Sequence, residues 1–425
     1  MDIPGGDLLA AVQAFFDAEI LPRHRDWVEH VVRRREPAPF MMDLRAKARA
    51  RGLWNLGLPE RMSNRDYAPI AEITGRLPWA SEVFNCQAPD VPNTIMLQHA
   101  ATLAQKERWL EPLLEGRIRS AFGMTEPDVA SSDATNIATT LRRDGSDWVV
   151  NGRKWYITGG AHPDCAFVIV MGVSRPDAPR TGRHSCVIVP MDAPGLRIVR
   201  ELRFMGWEDS IAPIAELDFE DVRVPAENLL GEEGEGFAAA QVRLGPARLH
   251  HCMRAIGTCE VLVELMMARA AEWRAFGRTV IDYDATQQAV ARSRIEIEQA
   301  RLLVLRTAER LDKEGHQAVW RDVSMVKVAV PEMAQRIADR AMQIFGAMGG
   351  SDDAPIHRAF AVVASPLSWR HIKDHHRCYP RIGIEMACRF ATSQSSPSAQ
   401  HTEPGYGTPR PSFHVPLHSA QRVNC

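Results

Sequence analysis

SAFGMTEPDVASSDATN, residues 120–136, is the stretch on which the reading of this 425-residue chain turns. Thr125-Glu126-Pro127 reads as a polar turn leaving a strand. Small residues follow: Ala130, Ser131, Ser132, Asp133 and Ala134. A loop of this kind exposes backbone N–H groups and hydroxyls, which suits a phosphate or the polar edge of a ring. An ordinary serine-rich connector has the same composition, so the stretch alone leaves both readings open.

Outward from the loop, the two flanks differ in period. Residues 1 to about 117 read as helical. Leu8, Leu9, Val12, Phe15, Phe16 and Ile20 fall at helical spacing until Pro22 stops the pattern, and apolar stretches at 70–77 and 95–103 continue it. On the other side, Trp148-Val149-Val150 and Trp155-Tyr156-Ile157 are short β runs around Asn151-Gly152. That pair is predicted to form a two-residue hairpin turn, because both residues tolerate φ > 0. Runs at 165–171, 186–189, 196–199, 217–219 and 222–225 extend this into an all-β module.

After Gly234-Glu235-Gly236 the helical period returns. Cys252, Ile256, Val261, Leu265 and Met266 mark one helix; Ile295, Ile297, Leu302, Leu303 and Leu305 a second; Val326, Val328, Ile337, Ala341 and Ile344 a third. Helices, then strands, then helices predict an α+β fold of three domains: N-terminal helical (1–117), central β (118–235) and a C-terminal helical bundle (236–362). The remainder, 363–425, is rich in Ser, Pro, Gln, Gly and His beyond Thr392 and reads as a largely disordered tail.

The totals exclude several classes of function. Formal net charge is −2, so no global basic field points to nucleic acid or a membrane surface. The basic run Arg33–Arg35 is short and reads as a solvated helix face. Eight cysteines are scattered without a C-x-x-C pair, which fits free thiols in a reducing compartment better than disulfide staples. The N-terminus lacks a basic n-region, and no apolar run approaches the roughly 20 residues that span a bilayer. The expectation is a soluble intracellular protein, cytoplasmic if bacterial, with a mitochondrial or peroxisomal matrix as the other locations. His371 and His375 have the i, i+4 spacing of helical metal ligands. No metal is expected, because nothing else in the chain implies one.

Five segments in fixed order carry a resemblance. The 120–136 stretch is similar to the flavin-contacting signature of acyl-CoA dehydrogenases, in which an aromatic precedes T-E-P and a small-residue S-D run. NGRKWYITG (151–159) resembles the second flavin-contacting strand, and LDFEDVRVPAENLLGEEGEGF (217–237) the link into the C-terminal helices. RLHHCMRAIG (248–257) resembles the first bundle helix and QIFGAMG (343–349) the late glycine motif; GLWNLGLPE (52–60) also fits. The resemblance covers about residues 5–361 and is nearest the branch acting on long or branched acyl-CoAs. It implies a helical domain, a β-barrel-like domain and a four-helix-type bundle.

The resemblance also implies a chemistry. FAD binds against the β domain, a carboxylate removes the α-proton of an acyl-CoA thioester, and the β-hydrogen leaves as hydride. The product is a trans-2-enoyl-CoA, and an electron-transfer flavoprotein takes the electrons. Carried onto this sequence, Phe122, Met124 and Thr125 line the flavin, with Thr125 donating to the pyrimidine edge. Ser131 and Ser132 reach the pyrophosphate or the thioester. Tyr156 stacks near the isoalloxazine where many relatives place Trp, with Ile157 beside it, and Thr158 approaches N5. Arg248 holds the CoA-ester chain. Gln343 and Gly346-Ala347 meet the adenine end of a neighbouring subunit's FAD, which implies a homodimer or homotetramer.

Three positions depart from the family pattern. The Arg of R-x-x-F-G stands one place late, as Arg274 in the run 273–277. Asp284 occupies a position that is often Gln. The expected catalytic carboxylate falls at Arg370, in SPLSWRHI (365–372), and no Asp or Glu occurs between Asp353 and Asp374. The family's alternative carboxylate, on the first bundle helix, corresponds to Ala247. Asp374 is the nearest surviving acid. The foreign composition of 363–425 points to a shifted reading frame or an alternative last exon. Beside the dehydrogenase, two further readings follow: an FAD- and acyl-CoA-binding homologue that lacks the base, or an acyl-CoA oxidase on the same fold.

Overall fold

The apolar period at Leu8, Val12 and Phe15 forms helix α1 (Gly5–Phe15), and these side chains are buried. Pro22 does not end the helical path. It sits near the start of a 3₁₀ turn (Leu21–Arg23) between wide π turns at Phe16–Ile20 and Val28–Arg34. At the first positions of a turn the missing N–H has no partner to lose, so the proline is accommodated. Helices α2 (Met41–Ala50), α3 (Asn64–Gly75) and α4 (Asp90–Ala100) complete the N-terminal layer. The computed structural model describes residues 5–131, 133–203 and 212–361. Ser132, Arg370, His371, Asp374, His375 and the tail at 363–425 lie outside the described residues.

The middle of the chain is one sheet of strands β1 (Arg119–Gly123), β2 (Thr140–Asp144), β3 (Asp147–Ile157), β4 (Cys165–Val173), β5 (His184–Pro190), β6 (Leu196–Leu202), β7 (Ile214–Pro225) and β8 (Leu229–Leu230). The order is β6-β7-β3-β2-β4-β5-β8, with β1 pairing parallel to β4. Both faces of β4 are covered, which explains its unbroken apolar run. Phe167, Ile169 and Met171 pack with Met96, Leu97 and Trp109 on one side; Val168 and Val170 pack with Val187, Val189 and Leu217 on the other.

Asn151-Gly152 is not a hairpin turn. β3 runs straight through it, and the tight turn lies at Gly145-Ser146, where Gly145 has φ +61° and Asp144 pairs with Asp147. Opposite Asn151 it is β7 that bulges: Val150 pairs with Val222 but Gly152 with Phe219, so Glu220 and Asp221 together face Asn151. Asn151 exchanges hydrogen bonds with Asp221, and a Cβ at Gly152 would meet Thr139 Oγ1 at 2.5 Å. Gly152 is demanded by close approach inside the sheet, not by a chain reversal.

Three long helices follow: α5 (Gly236–Glu272), α6 (Asp284–Glu314) and α7 (His316–Phe345). They share one core with the N-terminal helices. α5 crosses α3 at a pair of glycines: a Cβ at Gly257 would stand 2.0 Å from the Glu72 carbonyl oxygen, and one at Gly75 2.2 Å from that of Arg254. Asp312, near the end of α6, accepts from the backbone N–H groups of Asn64 (3.0 Å) and Arg65 (2.9 Å) and so caps α3 from another layer. The inward face of α6 is Ile297, Ala300, Val304, Ala308 and Leu311. Ile295 and Leu302, two of the apolar residues that mark this helix in the sequence, are 57% and 64% exposed. Among the described residues no helix is long and apolar enough to cross a membrane.

Candidate functional site

β1 delivers the chain to the site. The side chains of Phe122 on β1 and of Met124 just after it are buried with Trp109, Phe167 and Met171, so only their backbone can edge a ligand. Their apolar character is used by the core beneath. Ile157 is likewise buried on the other face of the sheet, among Ala121, Val168 and Leu217, and its side chain is unavailable to a ligand.

Thr125 and β3 are stitched together. The Trp155 N–H donates to the Thr125 carbonyl at 3.0 Å, and the Thr125 hydroxyl donates to the Trp155 carbonyl. In this structure the hydroxyl expected at a flavin edge is engaged within the protein. Ser131 also turns inward: its Oγ accepts from the Glu126 N–H at 2.8 Å and is buried. Asp133 caps the turn at Ala134–Asn136 by accepting from Thr135 N–H (3.2 Å), and Arg180 reaches both Asp133 (3.2 Å) and Asn136 (3.3 Å).

Beside this loop β3 carries a bulge of its own. Lys154 pairs with Leu217 but Ile157 with Ala215, so one extra residue is inserted. Tyr156 sits there with φ +52°. A left-handed conformation in a residue with a bulky side chain is costly, of order 1–3 kcal/mol. The bulge turns the ring outward, and Tyr156 is 39% exposed on a strand whose neighbours Lys154 and Ile157 are buried. The Trp155 ring leans on it at 4.9 Å between centroids. Thr158, half-buried, follows at the strand's end.

Behind the loop lies a polar cluster that the motif reading passed over. Lys154 is fully buried, and its Nζ donates to Glu126 Oε1 (2.8 Å) and to the carbonyls of Met124 (3.1 Å) and Met171 (2.7 Å). Glu126 also accepts from the N–H groups of Ala138 (2.8 Å) and Thr139 (2.9 Å). Burial pushes Lys154 down to about 8, against the pull of the Glu126 charge. Burial alone would raise the Glu126 carboxyl; Lys154 and the hydrogen bonds at Thr139 and Ala138 outweigh it and hold the group below its ordinary value. His184, also buried, meets the Ile137 carbonyl at 3.3 Å. In sequence Lys154 follows Asn151-Gly152-Arg153, so it reads equally well as a solvent-facing strand position.

The remaining expected residues are in the bundle. Arg248, half-buried on α5, has no hydrogen-bond or ion-pair partner among the described residues. The turn after α5 is a two-residue reversal at Phe276-Gly277 between Arg274–Ala275 and Arg278–Thr279. Arg274 donates back to the Gly277 carbonyl at 3.0 Å, while Trp273 stacks under the Arg269 guanidinium at 3.6 Å. Gln343 is exposed near the end of α7, and Gly346, with φ +64°, terminates it. Arg269 also faces Phe345, at 5.9 Å, so the 274 turn and the 343–346 end are neighbours. Among the described residues, no hydrogen bond or ion pair joins Arg274, Gln343 or Gly346 to the 120–136 segment.

Family models match three successive parts of the chain: "Acyl-CoA dehydrogenase, N-terminal domain" at 6–117, "middle domain" at 121–222 and "C-terminal domain" at 234–365. The chain is 49% identical over 337 residues to the protein named Probable acyl-CoA dehydrogenase FadE2 of Mycobacterium tuberculosis, covering 77% of this chain and 83% of that one. It is 44% identical over 369 residues to Acyl-CoA dehydrogenase family member 11 of Gallus gallus, covering 84% of this chain and 48% of that one. The chain thus spans about half the length of the family member 11 proteins it matches. A solved structure described as an acyl-CoA dehydrogenase from Mycobacterium abscessus superimposes with a TM-score of 0.86 at 44% identity, covering 90% of this chain and 98% of that one.

Proposed function

The chain belongs to the acyl-CoA dehydrogenase family, whose members are flavin-dependent oxidoreductases, and from that premise we propose that it holds FAD between the Thr125 loop and Tyr156 and converts acyl-CoA thioesters to trans-2-enoyl-CoAs. Tyr156 is the observation that supports this most. A strand bulge and a left-handed backbone are spent on presenting one aromatic ring beside an exposed polar loop. Strain of this kind persists where a ligand contact needs the side chain there. An exposed ring beside the half-buried Thr158 hydroxyl fits the apolar and polar edges of an isoalloxazine.

FAD, when bound, supplies the hydride acceptor. The protein's part is to hold the thioester with its oxygen against fixed donors, so that enolate charge is stabilised as the α-proton leaves. Arg248, half-buried on α5 and without a hydrogen-bond or ion-pair partner among the described residues, binds the CoA-ester chain. Arg274, Gln343 and Gly346 act on the FAD of a second copy of the chain, so the working form is a homodimer or homotetramer, and an electron-transfer flavoprotein takes the electrons. Anaerobic mixing of the FAD-loaded protein with medium- and long-chain acyl-CoAs tests the activity. Loss of the flavin's visible colour with at least one of them is expected; retention with all of them rules the activity out.

A second reading has its own observation. α5 carries a methyl group, Ala247, at the family's alternative carboxylate position, and the sequence has Arg370 at the usual one. On that reading the chain binds FAD and acyl-CoA without turnover. Arg370→Glu then confers acyl-CoA-dependent bleaching on an inert wild type; no gain in a variant that still binds FAD would remove the missing base as the explanation.

A further inference from the structure

We infer that Glu126 and Lys154 form a buried clamp that closes the neck of the flavin loop before any flavin arrives, making them positioning residues for FAD. The inference rests on the assignment of FAD to this loop. Glu126 holds the loop at both ends. Its N–H binds Ser131 Oγ within the loop, and its carboxylate accepts from Ala138 and Thr139, where the chain re-enters the sheet. Residues 127–137 are therefore a closed loop whose two feet meet on one carboxylate.

Lys154 fixes that carboxylate to the sheet. Its three acceptors lie on two segments: Glu126 and, two residues earlier, the Met124 carbonyl at the neck, and the Met171 carbonyl on β4. The ammonium has three N–H donors and all three are used. The charges are taken out of water, with Lys154 0% and Glu126 5% exposed. A buried pair of this kind is weak evidence for stability, since an apolar pair of the same volume often serves as well. What it supplies here is directionality: backbone groups of Met124, Ala138, Thr139 and Met171 are held in one arrangement. From the other side of the neck, His184 meets the Ile137 carbonyl.

The geometry also connects the clamp to Tyr156. Lys154 is the last regularly paired residue before the bulge that turns the ring outward. Anchoring its side chain beneath the sheet fixes the point from which Trp155 and Tyr156 diverge, and the Trp155 carbonyl and N–H are the groups bonded to Thr125. The loop and the ring are thus referred to a single buried atom, the Lys154 Nζ. Preorganisation of this kind raises affinity by removing the ordering cost from the binding step.

The test uses the full chain as wild type, Lys154→Met and Glu126→Gln. Glu126→Gln keeps the side-chain volume and removes the charge, so it decides the matter if Lys154→Met fails to fold. Hydrogen–deuterium exchange is measured first on flavin-free protein. Wild type should protect the amides of Ala138 and Thr139, and both variants should lose that protection while peptides from α5–α7 exchange as before. FAD is then titrated: Kd should rise about tenfold or more, the range seen when a residue supporting a ligand shell is removed, and the visible band of bound flavin should change shape. Folded variants with wild-type exchange at 138–139 and wild-type FAD affinity overturn the clamp. A wild type that protects these amides but ignores FAD overturns the functional assignment and leaves the clamp standing.

Discussion

Tyr156 and His250 show what single residues contribute. Replacing Tyr156 with Ala removes the exposed ring and should weaken FAD binding by about 1 kcal/mol, roughly fivefold in Kd. Tyr156→Trp should retain it; a flavin titration that ranks Ala with Tyr would sever the ring from the cofactor. His250 tests the core. It is buried edge-on against Tyr67 at 4.5 Å, and burial, then the Arg254 charge, push it from an ordinary 6.5 down to about 3. Between those values only the unfolded chain takes the proton. Stability is therefore intact above about pH 6.5 and is lost progressively as pH falls toward 3. His24, His162, His184 and His316 are lowered in the same direction, so the wild-type slope is a sum. His250→Leu should remove about 1.4 kcal/mol of the loss between about pH 7.5 and about pH 5.5. Melting curves at the two pH values check it, and an unchanged slope would place the His250 proton elsewhere. At this scale the sequence was legible where a motif carried the residue, as with Thr125 and Tyr156. It was opaque where the role is set by what lies beneath the strand. Lys154 stands between Arg153, 47% exposed, and Trp155, and only the sheet decides that it faces inward.

Elements explain the misread turn. Asn-Gly is the strongest short-range hairpin signal, yet here the pair lies inside β3 opposite a bulge of β7, and its contacts with Asp221 and Thr139 hold it there. The two short runs expected at 217–219 and 222–225 are one strand, β7, for a related reason. Asp221, with φ +46°, belongs to this bulge and bends the strand without ending it. On α6, Ile295 and Leu302 recur at a seven-residue spacing on the outer face, while Ile297, Ala300 and Val304 face in. An apolar count without its phase could not separate the two faces. The contact of α3 with α5 gives a sharper test. Gly75 and Gly257 let the two backbones touch, and Gly257→Ala forces a Cβ against the Glu72 carbonyl, which is backbone and cannot swing away. About 1–3 kcal/mol of destabilisation is expected from such overpacking. A melt showing no loss would mean that the helices separate freely, contrary to the shared core.

For the molecule as a whole, the order of helices, strands and helices was readable because period changes at residues 119 and 236 are abrupt and each layer is long. How the chain completes its site was less readable. The Thr125 loop and Tyr156 lie on the sheet, while Arg274, Gln343 and Gly346 lie in the bundle, with no hydrogen bond or ion pair to the loop among the described residues. A two-copy site accounts for this division. Size-exclusion chromatography with light scattering should therefore report a dimer or tetramer, and a monomer that retains tightly bound FAD would refute it. The claim beneath all of these is that the Thr125 loop and Tyr156 together receive an isoalloxazine ring. Its most direct test is the titration of purified flavin-free protein with FAD, followed by flavin fluorescence. Saturable quenching at about one FAD per chain, weakened in Tyr156→Ala, is the expected result; a folded wild type that leaves FAD fluorescence unchanged contradicts it.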